Sequence, residues 1–89
     1  MKNADMRRQV EITLEFPVQL ADRKLERLTI RRPTVRDWLN YDLKDDFSLK
    51  DSVGLIADLC GLVPDELEML DFYDFERLQA QLLSFRGVS

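Results

Sequence analysis

Residues 29–39 read Thr-Ile-Arg-Arg-Pro-Thr-Val-Arg-Asp-Trp-Leu, and this stretch separates two kinds of pattern. Before it, apolar residues alternate at a period of two; after it they recur at helical spacing. Pro33 has a fixed φ and no backbone N–H, so it ends a strand ladder and pushes Arg32 towards an extended conformation. Thr34 is placed to cap a helix by accepting from the amide of Asp37, whose carboxylate reaches back to the cap. Val35, Trp38, Leu39 and Leu43 follow at helical spacing, which predicts a face landing on the preceding sheet.

Upstream, Met1–Gln9 is polar and reads as a flexible arm, leaving residues 10–87 as a single domain. Val10, Ile12, Leu14 and Phe16 alternate with Glu11, Thr13 and Glu15, predicting a strand with one buried face; Pro17 places it at an edge. Ala21-Asp22-Arg23-Lys24 is the turn. Leu25–Arg31 is the return strand, with Leu28 and Ile30 inward and Arg27, Thr29 and Arg31 outward. Leu25 is out of phase with Leu28, which predicts a bulge near Glu26, and Glu11 and Glu15 are set to face the arginines across the pair.

A lone hairpin is marginal in water, so helices must cover it. The first is predicted from Val35 to Lys44. Ser48 caps the second, whose stripe is Leu49, Val53, Ile56, Leu59 and Cys60, and Gly61 stops it. Pro64 opens a short third helix with Leu67 and Leu70 inward. Asp71 caps the last, Phe72–Arg86, with Asp74 and Glu76 near its start and Arg86 at its end, as the helix dipole favours, and Gly87 closes it. The fold class is α+β: an N-terminal antiparallel β-hairpin packed against three to four short α-helices.

Catalysis is argued against by residue type. With no histidine and one cysteine among 89 residues, nucleophile–histidine pairs and thiolate clusters have no members. Asp42, Asp45, Asp46 and Asp51 lack the glycine and the alternation of a calcium loop, and three isolated glycines make no phosphate cradle. Cys60 lies on an apolar stripe and reads as core. The expectation is a non-enzymatic protein with no catalytic residues, no cofactor and no metal. No apolar run reaches membrane-spanning length, and Met1–Arg8 has no apolar core or cleavage site, so neither membrane nor export is expected. The single cysteine fits a cytoplasmic location.

Charge is unevenly spread. Residues 1–36 carry nine Lys/Arg against five Asp/Glu, and residues 37–89 four against twelve. Such polarity suits a partner of mixed charge or head-to-tail self-association, besides solubility. Ala57–Leu67 has the spacing of a helix-turn-helix, which makes a DNA-binding regulator the alternative reading. Its would-be recognition segment, Asp65–Asp71, carries four carboxylates and no base, the wrong sign for a phosphate backbone, so nucleic acid is not expected.

The last helix is the most informative surface. Phe72, Phe75, Leu78, Leu82 and Phe85 run along one side, and Tyr73, Ala80 and Leu83 widen the apolar arc beyond what a small core needs. The surplus, around Tyr73 or Leu83, is a docking site for an amphipathic helix or a second copy.

Several of these segments together resemble a known family: Leu14-Glu-Phe-Pro17, Leu28-Thr-Ile-Arg-Arg-Pro-Thr-Val-Arg-Asp37, Leu59-Cys-Gly-Leu62, Leu70-Asp71, Asp74-Phe-Glu-Arg-Leu78 and Leu82-Leu-Ser-Phe85. The order and spacing are similar to the small tail assembly chaperones of Mu-like contractile-tailed phages and prophages. Arg36 and Arg23 depart from it, standing where that family often has a small residue and a turn glycine. The resemblance implies a non-enzymatic protein that binds the tape measure protein during tail assembly and is not kept in the finished tail; a structural tail component is the neighbouring alternative. On that reading Tyr73, Leu83 and Arg86 make the partner contact, above a core containing Trp38 and Phe75.

Overall fold

The computed structural model describes residues 6–40 and 49–87. Two strands, β1 (Gln9–Gln19) and β2 (Lys24–Arg31), form an antiparallel hairpin, followed by α1 (Val35–Leu39), α2 (Leu49–Cys60), α3 (Pro64–Leu67) and α4 (Phe72–Arg86). The fold is therefore α+β, a hairpin with four short helices. Ile12, Leu14, Leu25, Leu28 and Ile30 form the inner face of the hairpin, and Leu55, Ile56, Leu59, Leu67 and Leu78 meet them from the helices. Leu55 and Ala57 extend the buried face of α2 beyond the predicted stripe, while Leu49 at its start is exposed.

Val10 pairs with Ile30, Ile12 with Leu28 and Thr13 with Arg27, after which the register jumps to Val18 opposite Leu25. Leu14–Pro17 thus oppose Glu26 alone. The irregularity expected at Glu26 is there, and its extra residues lie in β1, where Pro17 cannot donate to a partner. The distortion also overturns one expectation. Phe16, placed inward by strict alternation, is 50% exposed, because the alternation does not survive the bulge.

The junction after β2 forms the expected cap. The Thr34 backbone N–H donates to Asp37 Oδ2 at 2.7 Å, and the Asp37 N–H donates to Thr34 Oγ1 at 3.4 Å. Arg31 adds a bidentate pair to the same carboxylate at 2.7 and 2.8 Å. The preceding strand is tied to α1 by charge rather than by the apolar face the spacing predicts. Val35 and Leu39 are exposed at 76% and 78%, and among the described residues of the named face Trp38 alone packs against the core. Five residues are too few turns to present a broad stripe. Leu43, Lys44 and the Ser48 cap lie outside the described residues, as does the start of the arm.

Arg31 and Arg32 diverge. Arg32 donates to the Phe85 carbonyl at 3.1 Å, satisfying an acceptor in the last turn of α4, and its guanidinium stands 5.4 Å from the Phe85 ring centre. At the other end of the hairpin, Arg23 bonds Glu66 of α3 at 3.0 Å. Gly61 and Gly87 adopt φ of 70° and 78°, the left-handed conformation that ends α2 and α4 as expected.

Candidate functional site

α4 begins where Asp71 accepts the Tyr73 N–H at 2.9 Å. Its helical period gives three faces. Phe75, Leu78, Leu82 and Phe85 point into the core together with Asp74. Phe72, Gln79, Leu83 and Arg86 line the flank beside α2, and Tyr73 and Arg77 the flank beside β1. Phe72 thereby leaves the inward row assigned to it. It stands at the first position of the helix, beyond the end of the hairpin core, and is 59% exposed against Phe75, 6.0 Å between ring centres.

The α2 flank is a groove in two parts. Leu49, Val53, Leu67, Leu70, Phe72 and Phe75, with Glu68 at the rim, enclose a depression of about 300 Å³. Ser52, Gln79, Leu82, Leu83 and Arg86 enclose a second of about 230 Å³. Within the second, Gln79 donates to Ser52 Oγ at 3.1 Å, a polar bridge across the α2–α4 seam. From Phe72 to Arg86 the flank runs about 21 Å at the helical rise, some four turns of a partner helix.

The three residues expected at a partner contact are not all on this flank. Leu83 and Arg86 share the second depression, where the Arg86 guanidinium also lies 4.9 Å from the Trp38 ring centre. Tyr73 lies on the β1 flank, edge-on to the displaced Phe16 at 6.2 Å. Phe75 is buried beneath them, and Trp38 is half-buried.

Asp74 stands in the first turn of α4, as the dipole argument placed it, but its burial was not foreseen. It is fully buried and accepts the backbone N–H groups of Glu15 and Phe16, both at 3.0 Å. Arg77 completes the arrangement, donating to Asp74 Oδ1 at 2.9 Å and to the Thr13 carbonyl at 2.8 Å. Burial alone raises the Asp74 pKa, but these two amides and the Arg77 guanidinium outweigh it and hold the carboxyl below its ordinary value. The signal was its phase, four residues before Leu78 on the apolar face. Asp37 is likewise held well below the usual carboxylate range, first by its hydrogen bonds from Arg31, with Thr34 adding to them against desolvation. Cys60 is partly buried against the core, and desolvation pushes its thiol up to about 12, the state of an unreactive sulfhydryl.

Among the described residues, no group of His, Cys, Asp and Glu is arranged to hold a metal ion, and no helix is long and apolar enough to cross a membrane. The helix-turn-helix spacing resolves into α2, the Gly61 stop and α3. With four residues, α3 is a single turn bearing Asp65 and Glu66.

A family model described as "Phage tail assembly chaperone proteins, E, or 41 or 14" matches residues 11–87, from the first strand through the glycine that closes α4. The chain belongs to this phage tail assembly chaperone family. No curated protein and no solved structure matches it. The likeness read from the residues is therefore borne out, and the family is one of non-catalytic chaperones. In this chaperone the Arg31–Asp37 motif is an architectural joint between sheet and helices.

Proposed function

We propose that this chaperone binds the tape measure protein during tail assembly, in the bacterial cytoplasm, through apolar helix surface centred on α4. The observation that carries the reading is the α4 flank itself: Phe72 and Leu83 are exposed beside two apolar depressions on a helix whose inner face already fills the core. A small domain leaves such surface open at a cost in solubility, which a binding role explains. Tyr73 beside Phe16 extends it around the helix, and Arg86 supplies a charged end. Each contact is small, so strength on an elongated helical client comes from many copies bound along it.

Co-expression with the tape measure protein of the same phage or prophage tests the reading. The expected result is a soluble complex that co-purifies and that weakens when Leu83 is changed to Glu. A tape measure protein that stays insoluble, with no complex on mixing, overturns it.

A further inference from the structure

We propose that the α2–α4 groove takes an amphipathic helix whose apolar stripe is flanked by lysine or arginine, with the basic flank against the α3–α4 corner. The proposal rests on the tape-measure reading and adds to it the chemistry of the bound segment. The groove floor at this corner is apolar, and its rim is acidic: Glu68 lines the depression and is exposed, as are Asp65 and Asp71 on either side of it in the chain. From Asp51 to Glu76 the sequence carries eight Asp/Glu and no Lys/Arg. Among these, Asp74 meets Arg77, Glu66 meets Arg23 and Asp58 lies in the field of Arg31. The far end of the groove has the opposite sign, at Arg86.

Charge and shape together select the occupant. An acidic helix would place like charge beside the exposed Glu68, a repulsion that disfavours it at low salt and that salt screens. A polyphosphate backbone has the wrong sign and nothing to bury against Phe72 and Leu67. The helices of a second copy are poorly matched as well, since α2 and α4 carry three Lys/Arg between them, Lys50, Arg77 and Arg86, and Arg77 is engaged by Asp74. A helix with an apolar stripe and basic neighbours satisfies both floor and rim, in one orientation set by Glu68 at one end and Arg86 at the other.

Two synthetic helical peptides with one shared apolar stripe, flanked by Lys/Arg in one and by Glu in the other, test this by NMR titration against the isotope-labelled full chain. The basic peptide is expected to shift Val53, Leu67 and Phe72, to bind at least about tenfold more tightly than its acidic twin, and to lose that advantage in high salt. Glu68→Lys, at an exposed position, is expected to erase the difference without unfolding the chain. Equal affinities, shifts confined to Phe16 and Tyr73, or failure of both peptides overturns the proposal. So does a groove filled in the free chain by residues 41–48 or by a second copy, read from contacts to Phe72 and from sedimentation. Capture of the tape measure protein without discrimination between the peptides removes this proposal and leaves the function standing. Discrimination without capture keeps the groove chemistry and removes the tape-measure client.

Discussion

The carboxylate of Asp74 on α4 accepts the backbone N–H of Glu15 on β1 at 3.0 Å, across 59 residues of sequence. Together with the Phe16 amide and Arg77, it converts the distorted part of β1 into a docking point for the last helix.

Replacing Asp74 with Ala leaves two backbone amides without their acceptor and Arg77 without its counter-charge. The expected loss is about 2–4 kcal/mol, a large share of the stability of so small a domain. Urea denaturation measures it, and amide exchange at Glu15 and Phe16 is expected to speed up in the same variant. Asn, which keeps an acceptor oxygen, is expected to lose less.

Acid is expected to unfold the protein through Asp37 and Asp74. Both carboxyls have folded-state pKa values below the ordinary one, so the folded state binds fewer protons than the unfolded chain at mildly acidic pH. Their stabilisation is present above about pH 4, the unfolded value, and is lost as pH falls below it. Thermal midpoints recorded from neutral pH down to about pH 2 should fall, and more shallowly once Asp37 is replaced by Asn.

The two sides of α4 are expected to respond in opposite ways. Leu78→Ala, in the closed core, should cost about 2–5 kcal/mol. Leu83→Ser, on the exposed flank, should change stability by no more than about 0.5 kcal/mol while weakening client capture. Paired melting curves and co-purification check this separation.

Cys60, with its pKa pushed up to about 12, should react slowly with a thiol reagent at pH 8. Its thiolate fraction there is smaller by about two orders of magnitude or more than that of a free thiol. Labelling in urea should restore the ordinary rate; equal rates folded and unfolded would contradict the packing of Cys60 against the core.

Most of the fold was legible because it rests on local signals. Thr34, Asp71, Gly61 and Gly87 punctuate the helices where capping chemistry puts them, and alternation marks both strands. What was not legible depends on geometry between elements. The bulge turns Phe16 outward, and the place of Phe72 at the end of the core turns it outward too, so two aromatic residues assigned to the interior are surface. Asp74 escaped for the converse reason, since an acidic residue in a first turn has a sufficient local explanation. Of the three residues expected at a partner contact, Leu83 and Arg86 line one depression and Tyr73 stands on the other flank, and the lining by Leu49, Val53 and Leu67 required knowing how α2 and α3 lie against α4.

Arg77 takes the Thr13 carbonyl and Asp74 the Glu15 amide at the register shift of β1, so backbone groups that another strand could bind are engaged by α4. A ribbon with bare margins next to Phe16 and Tyr73 would invite copies to stitch together strand on strand, the route to fibrils. With these groups already taken by its own helix, β1 has fewer bare backbone groups here for a second ribbon to join.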